Sequence, residues 1–532
     1  MGSTLRALRA LVLLAGFYLL GLIMLVALAG IDWAATLWTP GSVYLKLYFL
    51  SAVLAVPVVR GMFMLRTPKD DGEDGPAGLP VSEAQQPRLW QTARELAAGV
   101  STRAPDEIRL TADMNAAVSE DARFLGLLSG TRRLYLGVPL MTGLTEAQLR
   151  AVLAHEMGHY SNADTRLASI AVRGRVQVLR TIGHFEERAG SKVAKERARQ
   201  EKKAEKALAK GKGAKEIDTA GAGITYRAMA WIYTAYAKLY IRATESGSRR
   251  QELAADLAAA RIAGRDATAS ALREIPVLDG AHDFYLRSYA TMGVGAGLLP
   301  PRGEVFGGVR HLLAARTAEL DELRRDLPTE RSSPYDTHPP IAERVARIEA
   351  LPDDGRASEQ SGPALALLHS LDDTLAAVEE SALTAEALGL RRVDWPELVH
   401  ESMTAYVEAD AEPLRRATAE LTGDPSLVSL LNAVDAGALW QIAERLPKSA
   451  EAAAASGRAA HEFARPAVRH GLSKLASGRL IADGRARWQL SWSESASLRL
   501  PQGYEELLPA ALDAAVADLP DTQPLRKLLA AH

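Results

Sequence analysis

The residues whose types and spacing fit chemistry lie together in one HExxH string, which runs from His155 to His159. Residues four apart lie on the same face of a helix, so His155 and His159 can offer two imidazoles to one metal ion. Two neutral histidines, with one position left to water, are typical of a hydrolytic zinc site. Glu156 lies beside them, where its carboxylate can take a proton from that water. The string therefore predicts a metal-dependent hydrolase.

The surrounding sequence favours this interpretation over chance. With 11 histidines in 532 residues, composition alone gives HExxH in roughly one such chain per hundred. Thr145 and Gln148 form a capping-box pattern that begins a helix, and Leu149, Val152 and Leu153 supply apolar positions before the string. A buried structural pair of histidines is the alternative, but such a pair does not need a glutamate between its members.

The composition limits the class of protein. A chain of 532 residues is too long for one ordinary domain, so two or three are expected. The net charge of −2 gives no basic excess to neutralise phosphates, so we expect no nucleic-acid partner. The chain has no cysteine, which excludes disulfides and thiolate zinc sites. A metal must therefore be bound by histidine and carboxylate.

The N-terminal region predicts a membrane anchor. Residues 11–30 carry no charge and are long enough to cross a hydrocarbon core of about 30 Å. A second apolar stretch covers about residues 43–65. Basic residues lie outside the segment between the two stretches, at Arg6, Arg9, Arg60, Arg66 and Lys69. The positive-inside rule then predicts a transmembrane hairpin over residues 1–66, in contact with the lipid bilayer, with everything that follows in the cytoplasm.

A cleaved signal peptide is the alternative for the first stretch, because Ala27-Leu28-Ala29 resembles a cleavage site. The first run is long for a signal peptide, however, and the second follows almost at once. A multi-pass protein of the cell membrane is therefore the preferred interpretation.

The remaining chain is expected to be mainly α-helical with a small β-sheet. Residues 67–81 are polar and predict a linker. Residues 82–352 contain a predicted helix, short predicted strands near 108–110, 115–118 and 132–138, and then the HExxH helix. Residues 353–532 match no motif, and their apolar spacing predicts a helical C-terminal domain of unknown role. Helices are predicted over residues 365–383, 395–421, 427–446 and 504–519, and a hairpin or a pair of strands over residues 487–500.

Two segments after the HExxH helix have unusual compositions. Residues 186–216 contain 11 Lys or Arg against 6 Asp or Glu, which predicts a solvated helix or a disordered insertion. Contact with anionic lipid is the alternative. Residues 226–241 are aromatic and apolar but too short between charges for a clean span, which predicts a core or membrane-surface helix.

A zinc hydrolase needs a third protein ligand. Glu252 and Asp256 are four residues apart in a segment from Ser248 that is predicted to open a helix, so their carboxylates share one face. One can reach a metal, and the other can orient a ligating histidine. Such pairs are common on solvated helices, but this pair follows an HExxH string that requires a further ligand.

The combination resembles the HtpX-like and CAAX prenyl protease-like family of integral-membrane zinc metallopeptidases. The resemblance covers about residues 80–350. It includes HExxH, the later ExxxD pair, Asn115-Ala116 as an edge strand, and Thr337-His338-Pro339-Pro340 with Arg344. It implies a zincin-like α+β catalytic domain that binds one Zn²⁺.

The resemblance implies a role for each matching residue. His155, His159 and Glu252 are expected to bind the zinc, with Glu156 as general base and Asp256 orienting a ligand. His338 and Arg344 are expected near the oxyanion of the tetrahedral intermediate, and a turn residue before Pro-Pro is the alternative for His338. Asn115 and Ala116 are expected to pair with an extended, strand-like polypeptide substrate.

The chain departs from this family between the HExxH helix and the third ligand, where HtpX-like members commonly carry two further spans. A seven-span chamber like that of the CAAX proteases cannot be built from two spans. Cleavage of membrane or misfolded proteins is therefore preferred over processing of prenylated peptides. The alternative function is a non-proteolytic adaptor, which keeps the zinc fold and binds partners through the C-terminal helices. An adaptor has no chemical need for Glu156.

Overall fold

The structure is a computed structural model that describes residues 3–38, 41–63, 78–120, 130–160, 164–208, 218–219, 221–325, 339–356 and 361–530. These residues are mainly α-helical with small sheets. One compact unit comprises Met1–Leu278 and Leu323–Leu371, and the other comprises Asp279–Glu322 and Asp372–His532. The two units interleave along the chain, whereas the domains expected from the sequence are sequential.

The elements up to residue 285 are α1 (Ser3–Trp38), α2 (Gly41–Phe63), β1 (Leu79–Val81), α3 (Pro87–Gly99), β2 (Glu107–Thr111), β3 (Ala116–Glu120), β4 (Arg132–Gly137), α4 (Val138–Gly143), α5 (Glu146–Gly158), α6 (Asp164–Leu208), α7 (Ile224–Ala263) and α8 (Arg265–Tyr285). Those that follow are β5 (Leu298–Leu299), α9 (Glu304–Gly307), α10 (Val309–Ala315), α11 (Thr317–Arg325), α12 (Ile341–Glu349), α13 (Leu371–Ala382), α14 (Ala385–Leu388), β6 (Arg391–Arg392), α15 (Trp395–Thr422), α16 (Leu427–Asp435), α17 (Leu439–Ala443), α18 (Ala450–Ala454), α19 (Gly457–Ala482), β7 (Arg487–Gln489), β8 (Ser497–Arg499), α20 (Tyr504–Ala515) and α21 (Gln523–Ala530).

Helices α1, α2, α6 and α7 share one apolar core in the first unit. Phe17 of α1, Phe185 of α6 and Tyr233 of α7 are fully buried there, and the Phe185 and Tyr233 rings stack with centroids 5.6 Å apart. The Ser51 hydroxyl of α2 donates to Asp32 of α1 at 2.8 Å. The two N-terminal helices therefore pack on each other and on the long helices that follow the HExxH segment.

Helix α1 contains the stretch Leu11–Trp38, the one stretch among the described residues that is long and apolar enough to cross a membrane. The apolar part of α2, Leu45–Val56, is shorter than that. One apolar N-terminal helix is therefore present, and the second span of the expected hairpin stays a prediction.

Helices α6 and α7 differ from the sequence expectations in length. The lysine-rich segment is helical as far as Leu208, as the continuation of α6, and its remainder, 209–216, lies outside the described residues. Helix α7 runs without interruption over 40 residues, so no new helix opens at Ser248. A single glycine such as Gly247 destabilises a helix by only about 1 kcal/mol relative to alanine. Packing of the parts of α7 before and after it can offset that cost.

The larger sheet lies beside α5 in the first unit. Its strand order is β1-β2-β4-β3, with β2 and β4 parallel and the other pairs antiparallel. Strand β3 is thus an outer strand among the described residues, and it packs against α5. Gly137 ends β4 where a Cβ would meet the Asp113 carbonyl at 1.8 Å. A glycine there lets the chain before β3 approach β4.

The second unit is built around α15 and α19, whose apolar faces pack with α16, α17 and α20. Residues 395–421 are helical as expected, whereas the helix expected over 427–446 is divided into α16 and α17. Gly437 lies in that break with φ of 80°, a conformation that glycine adopts without strain. Strands β7 and β8 form the antiparallel pair expected over residues 487–500.

Candidate functional site

The start of α5 is fixed by a capping box. The Thr145 hydroxyl accepts from the Gln148 amide at 3.3 Å, and the Gln148 side chain accepts from the Thr145 amide at 2.9 Å. A distant segment adds to this, because the Glu146 amide donates to the Gly362 carbonyl at 2.8 Å. The start of the helix that carries HExxH is therefore fixed both by its own capping box and by a hydrogen bond to a distant segment.

Three side chains converge at the other end of α5, as their spacing predicts. Nε2 of His155 lies 3.2 Å from Nε2 of His159. The two Glu252 carboxylate oxygens lie 3.5 Å from these nitrogens, Oε2 from His155 and Oε1 from His159. Zinc–nitrogen and zinc–oxygen bonds of about 2.0–2.1 Å in a tetrahedron place ligand atoms ~3.3 Å apart. The separations therefore fit a zinc ion.

The chemistry of these donors also favours a cation between them. The ligand atoms of two imidazoles and a buried carboxylate lie within 4.8 Å of one another, so all three groups can coordinate one ion once the imidazoles give up their protons to it. A shared proton can satisfy one pair of these groups, whereas a divalent cation satisfies all three side chains. His155, His159 and Glu252 could therefore hold a metal.

Asp256 lies one helical turn beyond Glu252 and fixes the orientation of His155. Nδ1 of His155 is 3.0 Å from Oδ1 of Asp256. Donation from Nδ1 leaves the lone pair of Nε2 directed at the metal position. Arg344 of α12 binds the same carboxylate through two nitrogens, at 2.9 and 2.6 Å, so Asp256 is held in turn.

The electrostatics of these groups follow from burial and pairing. Burial lowers the pKa of His155, but hydrogen bonds to Asp256 and Glu252 and the charge of Glu156 outweigh it, so that the pKa is raised to about 9. Burial raises the pKa of Asp256, but Arg344 and His155 more than offset this, and the pKa is lowered. Asp256 is therefore ionised, as a carboxylate that orients a ligand must be.

A cavity of about 200 Å³ opens onto this cluster. Its apolar wall is formed by residues of α5 and α8, namely Ala151, Val152, Ala271, Leu272 and Ile275. Its polar wall is formed by His155, Glu156, His159, Glu252, Asp256, Thr268 and Arg344. Glu156 thus lies on the same cavity as the three side chains that could hold a metal, as its place in HExxH predicts.

Comparison with known proteins agrees with this geometry. Residues 83–351 match the model of peptidase family M48. The chain belongs to peptidase family M48. It is 27% identical over 273 residues to a protease HtpX homolog from Kineococcus radiotolerans, an alignment that covers 51% of this chain and 76% of that protein. No solved structure matches the chain. The resemblance to HtpX-like peptidases is therefore confirmed, and this M48 member is a protease by family.

The other predicted site residues of this M48 protease are Asn115, Ala116 and Arg344, which the structure describes, and His338, which it does not. Asn115 precedes the outer strand β3, and its carbonyl accepts from the Gly137 amide at 2.7 Å. Ala116 is the first residue of β3. Arg344 binds Asp256, so its contacts here are those of a positioning residue, and a role at the oxyanion stays a prediction. His338 lies outside the described residues.

Sequence reasoning missed two parts of the site. Residues 361–364 were expected in the C-terminal domain but belong to the first unit. They bind the start of α5, where the Ala147 amide also donates to the Ser361 hydroxyl at 2.8 Å. Tyr160, directly after HExxH, reaches β3 through its hydroxyl. Both contacts join distant segments, so no local periodicity could signal them, although the place of Tyr160 beside His159 is a weak hint.

Proposed function

We propose that this M48 protein is a membrane-anchored, zinc-dependent endopeptidase with Glu156 as general base. The observation that carries the proposal is the convergence of His155, His159 and Glu252 on one point of a cavity that Glu156 also lines. Peptide hydrolysis needs an activated water, a proton carrier and a place for the substrate. The first two are supported by this cluster.

His155, His159 and Glu252 would hold the zinc ion, which supplies Lewis acidity when bound and lowers the pKa of water. Glu156 then accepts a proton from the attacking water and passes it to the leaving amine. Asp256 keeps Nδ1 of His155 protonated. The adjoining cavity of about 200 Å³ offers an apolar wall to a substrate side chain beside the scissile bond.

Binding of an extended polypeptide along β3 completes the proposal. An outer strand can accept a substrate as an added strand, and Ala116 starts this one next to α5. His338 and Arg344 are proposed to stabilise the oxyanion, which requires Arg344 to serve the substrate as well as Asp256. The oxyanion role of these two residues has support only from the family resemblance.

A location in the cell membrane with the catalytic unit on the cytoplasmic side is part of the proposal. Its support is the apolar stretch Leu11–Trp38 and the position of Arg6, Arg9, Arg60, Arg66 and Lys69 outside the segment that links α1 to α2. Membrane proteins or misfolded proteins are the proposed substrates, since a tethered peptidase meets them at the bilayer surface.

The test compares purified full-length protein with Glu156→Gln for cleavage of casein, an unfolded substrate, with zinc determined on both by mass spectrometry. We expect about one zinc per chain in each protein and a loss of cleavage of about 10²–10⁴-fold in the variant. Glu146→Gln, on the same helix but away from the cavity, is the matched control and should cleave normally.

Other outcomes decide against the enzyme. Equal cleavage by Glu156→Gln and the unmodified chain would show that Glu156 is not the general base. Zinc in both proteins with cleavage in neither would favour the adaptor. Folded protein that binds no zinc would overturn the metal site itself.

A further inference from the structure

The backbone groups of β3 alternate between β4 and the outer edge of the sheet. The Asn115 carbonyl accepts from the Gly137 amide, and the register places Ala117 in the next hydrogen-bonded pair with β4. In an antiparallel ladder the intervening residues direct their amide and carbonyl groups the other way. Ala116 and Val118 therefore turn theirs to the outer edge, where a substrate strand would pair.

Tyr160 already uses one of these outward groups. Its hydroxyl donates to the Val118 carbonyl at 2.7 Å. Its own carbonyl accepts from Thr102 at 3.0 Å, and the Arg132 guanidinium lies 4.9 Å from the centroid of its ring. Arg132 is in turn paired at 2.7 Å with Glu120, the last residue of β3. The position of the hydroxyl is therefore fixed from the backbone and from the ring.

We propose that Tyr160 is a positioning residue that controls how far an extended polypeptide can pair along β3. A substrate amide that donates to the Val118 carbonyl along the strand edge competes with the Tyr160 hydroxyl that already donates there, and displacing it exchanges one hydrogen bond for another. Pairing at Ala116 involves no such exchange with Tyr160. The inference rests on the proposed function only in taking an extended polypeptide as the ligand of β3.

This competition would make peptide binding depend on one backbone position more than on side-chain sequence. The substrate gains little where its amide displaces Tyr160 and more where it meets the edge directly. A peptidase of unfolded or extended segments that works in this way would accept many side chains and still bind in one register, since main-chain pairing sets the register.

The experiment measures binding of an unstructured eight-residue peptide, with Phe and Leu at its centre and an N-terminal fluorophore, by fluorescence anisotropy. It uses the full chain carrying Glu156→Gln, so that the peptide is not cleaved. Adding Tyr160→Phe removes the hydroxyl and keeps the ring beside Arg132. We expect the Kd to fall by about twofold to tenfold, because the peptide no longer displaces a hydrogen bond. An unchanged or raised Kd overturns the proposal.

A second series locates the contact by methylating each peptide amide nitrogen in turn. With Tyr160 present, the hydroxyl can return to the Val118 carbonyl when the competing amide is blocked. With Tyr160→Phe that carbonyl loses its partner, so one methylation should weaken binding more in the variant than in its parent. Equal penalties in both proteins at every position contradict the exchange.

The matched control is Tyr289→Phe in the second unit, which also loses a hydroxyl bond to a backbone carbonyl, that of Ser491 at 2.8 Å. Its Kd should equal that of the parent, and an equal gain of affinity there overturns the proposal. Absence of peptide binding in every variant also overturns it, even if casein is cleaved. Peptide binding with the expected dependence on Tyr160, but without cleavage by the unmodified chain, defeats the peptidase and leaves the role of Tyr160 standing.

Discussion

The first and second units both bury carboxylates, but they surround them differently. Glu252 and Asp256 in the first unit are 5% and 2% exposed and meet histidines on one cavity. Glu379 in the second unit is 1% exposed, and it accepts from the Val305 amide at 2.9 Å and pairs with Arg392 at 2.6 Å. Burial of charge is therefore no sign of chemistry by itself. The sign of chemistry in the first unit is that several types of ligand side chain converge on one cavity.

The pKa shifts sharpen the difference. Burial raises the pKa of Glu379, and its backbone and arginine partners offset this only in part. The pKa of Asp256 is lowered despite its burial, because Arg344 and His155 both favour its charge. In the second unit the buried carboxylate thus ties chain segments together although its pKa is raised, whereas in the first unit the partners of Asp256 favour its charge more than burial opposes it.

Metal removal should produce the largest contrast between the units. A ligand at a thousand times its Kd stabilises the folded state by about 4 kcal/mol, and only the first unit holds the proposed zinc ligands. We expect a chelator to lower amide-exchange protection in α5 and the adjoining part of α7 and to leave α15 and α19 unchanged. Hydrogen-exchange mass spectrometry with and without 1,10-phenanthroline measures this. Equal loss in both units would show that their stabilities are coupled.

Loss of the Arg344 side-chain charge should have the next largest effect. Arg344→Met leaves Asp256 without its arginine partner, so His155 is held less firmly and zinc affinity should fall by about 10–100-fold. Competition with a fluorescent zinc chelator measures the affinity. Arg344→Lys keeps the charge but not the two-nitrogen contact, and it should recover part of the loss.

The counterpart in the second unit is Glu379→Gln, which removes a buried charge but no proposed ligand. It should lower the free energy of unfolding by about 1–3 kcal/mol, because Arg392 loses its charged partner, and leave zinc affinity unchanged. An equal fall of zinc affinity in both variants would mean that the Arg344 effect is one of general stability.

The pH effect expected at His400 in the second unit should be the smallest. The Trp488 amide donates to Nδ1 of His400 at 3.3 Å. Burial and the charge of Arg487 lower the pKa of His400 from 6.5. The neutral ring therefore contributes stability that is complete above pH 6.5 and is lost as the pH falls through the lowered pKa. We expect protection of the Trp488 amide, corrected for intrinsic exchange, to fall in acid and to be independent of pH in His400→Gln.

The sequence predicted those parts of the site that depend on spacing along a helix. HExxH and ExxxD each place their residues on one face, so local pattern pointed to His155 and His159. Glu252 and Asp256 were selected by the need for a third ligand and by the family resemblance as well as by their spacing. Strands β2, β3 and β4 of the larger sheet were also found, because short apolar runs lay between turns. Strand β1 was missed, because it ends the polar segment 67–81 that was predicted to be a linker. The features that were found need no knowledge of the rest of the fold.

Contacts between distant segments were not predictable in this way. The clasp of Ser361 and Gly362 on α5 joins positions more than 200 apart, and the Tyr160 contact with Val118 depends on how α5 lies against β3. The continuity of α7 was missed because two locally different compositions were taken for two helices. Whether the two segments form one helix depends on packing along the whole length of α7, which composition alone does not reveal.

The unbroken α7 makes part of the chain intolerant of changes in length. It carries Tyr233 in the apolar core that α1, α2 and α6 share and Glu252 in the candidate metal site, on one set of helical hydrogen bonds. Inserting one residue between them would turn one end against the other by about 100° and move it by about 1.5 Å. Either the ring or the carboxylate would then face away from its partners, so the number of residues between the two is fixed as firmly as their identity.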